Sequence, residues 1–342
     1  MKRFKLWQFL VGLGVVAVAL LAVVLVLVLR SLPSEESRPL PNPNGYDEIL
    51  KAAAEAAPAD VPGRGIDDLS LEELQTAVES NLEALRLARV GLSRECRVPV
   101  EFSQAYLASH LPELAGVKRV AQAFRVEGRL AEQENRLGEA AKSYLDAVRL
   151  GQAVSRGGFI IDHLVGNAIE AIGLNPMKRL TDRLEAKDCH ELVIAFEKID
   201  SARDPWEAVV RQERILARRT LGWRYVIAAP VLVRMARQVE DKVYRKVQQR
   251  DAHLRLLLLE LAIRCHQLER TNQPQSLGEL VPSYLKAAPL DPFSNRPFIY
   301  RPEGTGFKLY SVGPDGKDDG GVSIVKSPAD VPPGDVLLNS PY

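Results

Sequence analysis

The sequence predicts a mainly α-helical protein with an N-terminal transmembrane helix, an extracytoplasmic α-helical domain and a small C-terminal α+β module. Three observations predict this fold class. Phe9–Leu29 is wholly apolar, leucine and valine recur at three- and four-residue intervals through the middle of the chain, and two alternating segments follow near the C-terminus. The predicted divisions are residues 1–30 for the cytoplasmic tip and membrane helix, 31–68 for a proline-rich linker, 69–251 for the helical domain and 252–342 for the C-terminal module.

The apolar run is long enough to cross a membrane. About twenty helical residues span the roughly 30 Å hydrocarbon core of a bilayer, and Phe9–Leu29 contains only apolar residues and glycine. Lys2, Arg3 and Lys5 precede it, and basic flanks favour the cytoplasmic side. We therefore expect a single-pass membrane protein, with its N-terminus in the cytoplasm and the bulk of the chain outside. A cleaved signal peptide is the alternative, but its apolar core is normally only about 7–15 residues long.

The charge balance argues against a nucleic-acid partner. The 342 residues include 45 basic and 44 acidic side chains, a formal net charge of +1, whereas nucleic-acid-binding domains are usually strongly basic. Basic residues do outnumber acidic ones between Arg211 and Arg250. On amphipathic helices, such a segment suits anionic lipid headgroups or an acidic partner helix, and a solvated helix face is the alternative.

The cysteines predict neither a disulfide scaffold nor a zinc site. Cys96, Cys189 and Cys265 are too few and too far apart in the chain for either arrangement. One bridge between Cys96 and Cys189 is compatible with an oxidising compartment, and buried free thiols are the equally weighted alternative.

Helical periodicity begins after the proline-rich linker. Ser70 and Glu73 have capping-box spacing, and apolar residues then recur at helical intervals from Leu71 to Leu85. Glycine, proline and aspartate signals separate further helical stretches. These stretches cover residues 117–151, 158–185, 188–200, 206–225 and 229–270.

One of these stretches resembles half of a tetratricopeptide unit. Within Leu130–Leu150, small and aromatic residues stand at the intervals of that repeat: Leu137, Gly138, Ala140, Ala141, Tyr144 and Ala147. Small residues at these positions let two antiparallel helices approach closely. No second copy occurs at the 34-residue period, and stacking repeats generally need several copies, so an ordinary helical hairpin is the alternative.

The C-terminal part has a different pattern. A short helix is predicted from Ser276 to Leu285, and a turn-rich bend follows around Asp291–Pro297. Two strands are then predicted over Pro297–Arg301 and Gly306–Val312, because aromatic and aliphatic residues alternate along both. We therefore expect a long helix followed by a small antiparallel sheet.

Three segments in this part have a distinctive order and spacing: Leu280–Leu285 (LVPSYL), Pro289–Tyr300 (PLDPFSNRPFIY) and Leu309–Gly321 (LYSVGPDGKDDGG). Together they resemble the C-terminal part of the major pseudopilin of bacterial type II secretion. The resemblance covers about residues 252–335, a quarter of the chain. The whole chain also resembles a broad group of bacterial single-span membrane proteins that join a helical region to this ending.

The pseudopilin resemblance implies a calcium site in the loop after the last predicted strand. The positions that match are Asp315, Asp318 and Asp319, with main-chain carbonyls from Leu309–Val312 and with Asp335 approaching from the tail. Calcium binds six to eight oxygen ligands, so clustered aspartates suit it. The alternative is that aspartate and glycine only form tight turns here, and the two interpretations are equally weighted.

Two departures argue against membership of the secretion filament. A processed pseudopilin has a glycine, an aromatic residue and, at the fifth mature position, a glutamate before its apolar helix, whereas this chain has Lys5–Phe9 (KLWQF) without that glutamate. More than two hundred residues also separate the pseudopilin-like part from the predicted anchor. The resemblance therefore implies a structural module and a metal, and a secretion-associated component is kept as an alternative.

No complete catalytic motif occurs in the sequence: Ser283–Lys286 matches S-x-x-K, but the S-D-N and K-T-G partners of that motif are absent. The five histidines are scattered, and Asp162 and His163 are neighbours on a predicted helix, which points their side chains in different directions. We therefore expect no catalytic residues and no cofactor apart from calcium. The leading hypothesis is a membrane-anchored interaction or scaffold protein of the envelope, held in the bilayer by Phe9–Leu29 and bound to a protein partner. An envelope hydrolase with a site assembled from distant residues is the other alternative.

Overall fold

The computed structural model of the chain describes residues 39–59, 64–222, 224–304, 306–323 and 334–340. The predicted membrane span Phe9–Leu29 lies outside these ranges. No helix within them is both long and apolar enough to cross a bilayer. The described part of the chain is mainly helical and carries a small antiparallel sheet near its C-terminus, as expected.

The helices follow one another with short connections. In chain order they are α1 Gly45–Glu55, α2 Leu71–Glu79, α3 Leu82–Leu92, α4 Gln104–Gln133, α5 Leu137–Ser155, α6 Ile160–Leu180, α7 Ala186–Ser201, α8 Trp206–Leu221 and α9 Arg224–Arg270. Short 3-10 turns occur at Ile66–Asp68, Thr181–Arg183 and Leu277–Leu280. The strands are β1 Ile299–Glu303, β2 Gly306–Ser311 and β3 Val336–Leu337, and they form one antiparallel sheet in the order β1-β2-β3. The stretch predicted over 117–151 is a helical hairpin, since α4 and α5 are separate helices.

The linker predicted over residues 31–68, in which a short helix is expected over Asp47–Ala57, contains α1, and this helix packs in the core. Asn44 caps this helix, its side chain accepting a hydrogen bond from the main-chain N–H of Tyr46. Tyr46, Ile49 and Ala52 are fully buried in a cluster shared with α3, α4 and α5. The neighbouring prolines suggest a stalk, but the helical spacing of the buried residues places this segment in the folded body.

The capping box predicted at Ser70 is present. The main-chain N–H of Glu73 donates to Ser70 Oγ at 3.2 Å, and the main-chain N–H of Ser70 donates to Glu73 Oε2 at 2.7 Å. The helix is interrupted after Glu79, although the apolar periodicity continues to Leu85. Asn81 explains the break, because its buried side chain donates to a carbonyl of the preceding turn and accepts from the N–H of Ala57.

Small residues let α4, α5 and α6 approach closely. A Cβ added at Gly128 of α4 would collide with the ring of Tyr144 on α5, and one at Gly151 would lie 2.6 Å from the Gly166 carbonyl on α6. Ala140 and Tyr144 are fully buried. The small residues singled out in Leu130–Leu150 therefore lie at helix contacts, as the hairpin interpretation predicts.

The C-terminal sheet shares its core with the helical body. Leu256–Leu259 on α9 are buried in one cluster with Leu192 of α7, Phe298 before β1 and Val336 on β3. The division predicted between residues 251 and 252 falls inside α9, which runs through it without a break. The sheet packs on the same helix that packs against α7, so these two parts form one continuous core.

Asp291 fixes the turn that precedes the sheet. Its side chain is 1% exposed and accepts hydrogen bonds from the N–H of Phe293, the hydroxyl of Ser311 and the N–H of Val312, at 2.9, 2.9 and 3.0 Å. Asn295 follows with a φ of 55°, a left-handed conformation that asparagine tolerates. Asp291 thus joins the turn over Asp291–Pro297 to the end of β2.

The three cysteines are free and buried, and Cys96 does not pair with Cys189. Cys96 lies in the cluster around α1 and α3, where its thiol is 3.4 Å from the carbonyl of Gly91. Cys189 lies in the other large cluster, beside Cys265. Of the two alternatives that the sequence leaves open, the structure has the buried free thiols, because the sulfurs of Cys96 and Cys189 belong to separate parts of the core.

Candidate functional site

A groove of about 640 Å³ runs between α4, α5 and α7 and extends to α2 and α3. Its apolar lining comes mainly from Val78, Leu130, Ala141, Leu145 and Leu192. A second, more open depression of about 750 Å³ adjoins it along α3. The α4–α5 hairpin that resembles half of a tetratricopeptide unit thus forms the main wall of a concave surface.

Arg89 joins the two depressions. Its guanidinium donates to both carboxylate oxygens of Glu127 on α4 and, at 3.0 Å, to Asp146 on α5, and it lies 5.2 Å from the ring centre of Phe124. Ser143 also donates to Glu127, at 2.6 Å. Burial raises the pKa of Asp146 despite its hydrogen bond from Arg89. This ion cluster holds three helices together at the floor of the groove.

The groove carries both signs of charge. Its lining includes four basic and five acidic side chains: Arg89, Arg136, Lys142, Arg149, Glu127, Glu139, Asp146, Asp188 and Glu191. Glu139 and Lys142 have side chains about two-thirds exposed, at 64% and 62%, so they are accessible at the rim. A surface with this balance suits a polypeptide segment of mixed charge better than a polyanion.

A buried histidine–carboxylate pair links α4 to α6. His110 Nε2 lies 2.6 Å from Asp162 Oδ1, and His110 Nδ1 lies 3.0 Å from Glu113 Oε2. Although burial alone would lower it, the hydrogen bonds to Asp162 and Glu113 hold the pKa of His110 above its ordinary value. Asp162 also accepts from the N–H of Phe159 and so caps α6. Because both ring nitrogens are bound to carboxylates, neither is available to act on a further group, and the geometry favours a structural role.

The aspartates predicted to bind calcium lie in one loop, but they do not point at one centre. Asp318 binds Arg301 at 2.7 Å and accepts from the hydroxyl of Tyr310 at 2.8 Å, a hydrogen bond that lowers the pKa of Asp318. Asp315 accepts from the N–H two residues ahead, as in a tight turn. No group of three or more His, Cys, Asp or Glu side chains in the described residues is arranged to hold a metal.

Asp335 is the fourth carboxylate of this loop. It is fully buried and accepts from the main-chain N–H groups of Asp319 and Gly321, at 3.3 and 2.7 Å. Burial raises its pKa. These contacts connect the loop to the segment that contains β3, a strand that the sequence pattern missed because it has only two residues.

Calcium binding therefore stays a prediction, and it requires the loop to rearrange. If it occurs, millimolar calcium should raise the melting temperature of the full chain, and Asp315→Ala should remove the increase because a carboxylate ligand is lost. Lys317→Ala is the matched control in the same loop and should keep the increase. A melting curve of the unaltered chain that does not respond to calcium would contradict the prediction.

The basic segment from Arg211 to Arg250 covers α8 and the first half of α9. Its members have different roles, since Arg214 pairs with Glu240 across the two helices at 3.4 Å and Arg250 is buried. Arg234 and Arg237 are exposed on α9. The lipid, protein-partner and solvated-face interpretations of these exposed residues all stay open.

Sequence reasoning missed the residues that form the groove floor. Arg89 stands 38 residues from Glu127 and 57 from Asp146 in the chain, and no spacing rule connects such distant side chains. The small residues on α5 are the only feature of the sequence that points toward this region. They indicate that α5 packs closely against a neighbouring helix, but they do not indicate the ion cluster.

Comparisons with known proteins add no family to this description. No protein-family model, no curated protein and no solved structure matches the chain. The likeness to pseudopilins rests on the C-terminal residues quoted above and stays a prediction.

Proposed function

We propose that the chain is a membrane-anchored, extracytoplasmic interaction or scaffold protein of the bacterial envelope, which binds a segment of a partner protein in the groove between α4, α5 and α7. The observation that carries this proposal is the groove itself, which has an ion cluster at its floor, a partly apolar lining and a rim of mixed charge. The anchor at Phe9–Leu29 and the location outside the cytoplasm are proposed from the sequence alone.

The lining favours a particular kind of occupant. An amphipathic helix or extended segment could place its charges against the rim and an apolar residue against the half-buried Val78. Leu82, in the adjoining depression, is 58% exposed and would extend the apolar contact. A partner segment that carries both signs of charge is therefore expected.

The arrangement of the carboxylates favours binding over hydrolysis. Glu127 and Asp146 converge in the groove, as an envelope hydrolase would need, but both are hydrogen-bonded to Arg89. A catalytic acid or base needs an ionisable group that can approach the substrate. The hydrolase stays an alternative, and so does a type II secretion-associated component.

Site-specific photo-crosslinking in intact cells tests the proposed interaction. A photoreactive amino acid at Glu191, on the groove wall, should give a defined adduct with an envelope protein. The same group at Lys51, which is exposed on α1 outside both depressions, should give none. Charge reversal of the neighbouring rim residue, Lys142→Glu, should reduce the yield of the adduct from position 191 at least several-fold. The variant replaces a positive charge on the rim with a negative one, which would repel the acidic side chains of the partner segment.

Two outcomes would contradict the proposal. One is the absence of any adduct from the groove position, and the other is the same adduct from Lys51. In the second case the contact would not depend on the groove.

A further inference from the structure

Two cysteines from different helices meet in the core. Cys189 lies in the first turn of α7 and Cys265 lies near the end of α9, and both are fully buried in the same cluster. The Cys265 sulfur is 3.7 Å from the carbonyl oxygen of Ala186, three residues before Cys189 on the same helix face. The two thiols also shift each other's pKa, which agrees with this placement. The Cys265 sulfur therefore lies against the first turn of α7, the turn that carries Cys189.

We propose that Cys189 and Cys265 form a disulfide that ties α7 to α9 when the chain meets a disulfide-bearing oxidant, while Cys96 stays a free thiol. A disulfide needs sulfurs that approach each other from correctly placed chains, and the Cys265 sulfur lies against the turn of α7 that carries Cys189. Cys96 does not meet this requirement, because its sulfur lies in the other large cluster beside the carbonyl of Gly91.

The chemistry is a thiol–disulfide exchange in two steps. The Cys189 thiol loses its proton, and the thiolate attacks one sulfur of the oxidant, which releases the other half as a thiol and leaves a mixed disulfide. The Cys265 thiol then loses its proton, attacks the Cys189 sulfur and releases the second half of the oxidant. Two protein thiols become one disulfide, and the oxidant is reduced to two thiols.

The neighbouring thiol makes Cys189 the first nucleophile. The Cys265 thiol lowers the pKa of Cys189, whereas Cys189 and burial raise the pKa of Cys265. Thiolates are the attacking species, so Cys189 reacts first. Both sulfurs are buried in the packed state, so the exchange takes place during a local opening that leaves the two thiols beside each other.

The bond would fix α7 to the helix that carries the C-terminal sheet. Because the cysteines stand 76 residues apart in the sequence, the disulfide would close a long loop and restrict the unfolded chain. The disulfide would therefore stabilise the packing of α7, which lines the groove, against α9, on which the C-terminal sheet packs.

Peptide mapping of the full chain tests the disulfide directly. The protein is incubated in mixtures of reduced and oxidised glutathione, with urea below its unfolding midpoint, and free thiols are then alkylated before trypsin digestion. We expect residues 188–198, which contain Cys189, to be linked to residues 265–270, which contain Cys265. Residues 95–97, which contain Cys96, should be recovered in alkylated form.

Variants separate the bond from a general effect of oxidation. Cys96→Ala should keep the linked peptides, and Cys265→Ala should lose them. A reductant should lower the melting temperature of the oxidised unaltered chain and of Cys96→Ala by about 5 °C, and leave Cys265→Ala unchanged. If Cys265→Ala does not fold, the peptide map of the unaltered chain decides alone.

Recovery of both peptides only as alkylated or glutathione-bound species at every glutathione ratio would overturn the proposal. A link from residues 95–97 to either peptide would overturn it as well. In the cell the oxidation depends on the proposed extracytoplasmic location. If the disulfide forms in the glutathione mixtures but is absent from protein purified from cells without added oxidant, the disulfide site is upheld. That result would count against the extracytoplasmic location.

Discussion

Glu170→Ala is expected to destabilise the protein by about 3–5 kcal/mol, because it removes the only described carboxylate that binds Arg203 through both oxygens. Glu170 on α6 is fully buried, and Arg203 donates to its two oxygens at 3.1 and 2.8 Å. Arg250 on α9 also approaches Glu170, at 3.9 Å, and its side chain is only 5% exposed. Without Glu170, the buried guanidinium groups of Arg203 and Arg250 would lose one carboxylate partner. Part of their positive charge would then be uncompensated in the core.

Asp251 cannot replace the missing carboxylate. It already binds Arg250 at 2.8 Å and lies 3.3 Å from Arg203. Although burial alone would raise it, these two arginines hold the pKa of Asp251 below its usual value. Asp251 is therefore charged and already pairs with both arginines, so it cannot compensate the loss of the Glu170 carboxylate.

Urea unfolding followed by circular dichroism measures the effect. Glu83→Ala is the matched control, because Glu83 pairs with Arg86 at the surface, where both side chains are more than half exposed, and it should cost less than about 1 kcal/mol. Glu170→Gln keeps the shape without the charge and should lie between them. If Glu170→Ala lost no more stability than the surface control, these buried ion pairs would not hold together α6, α9 and the loop that precedes α8.

This network shows where sequence patterns stop being informative. The basic stretch around Arg250 predicts a surface position for this residue, since its neighbours in the chain have the same charge. One partner, Asp251, is the next residue, but Glu170 stands eighty residues earlier, and only the packing of α6 against α9 brings Glu170 to Arg250. The placement of Cys265 against the first turn of α7 is not predicted for the same reason.

Local signals were more informative. The Ser70–Glu73 capping box, the separation of α6 from α7 and the two strands on either side of Gly304 each depend on a few adjacent residues, and the structure has all of them. The break at Asn81 was not predicted, because it depends on a side chain that bonds to Ala57 in another segment. The sequence thus predicted the elements and the small-residue contact beside the groove, but not the ion cluster around Arg89.

Gly173→Ala is expected to destabilise the protein by about 2 kcal/mol, although the same change in an unhindered helix is stabilising by about 1 kcal/mol. Gly173 lies on the face of α6 that packs on α5. A methyl group there would overlap the carbonyl oxygen of Tyr144 and lie 2.9 Å from Val148 Cγ2 and 3.1 Å from Ala147 Cβ. A main-chain carbonyl within a helix cannot move aside as the end of a flexible side chain can, so the two helices must separate.

The sign of the change distinguishes this contact from helix propensity. Asn175→Ala is the matched control on the same helix, two residues away and exposed, and it should leave the free energy of unfolding unchanged or slightly raise it. Urea unfolding of both variants gives the comparison. If Gly173→Ala were as stable as the unaltered chain, α5 and α6 would not be in close contact, and the wall of the groove would lack its support. If only Gly173→Ala is destabilised, the glycine is required because two helix backbones meet there, and the small residues of α5 and α6 hold the groove wall in place.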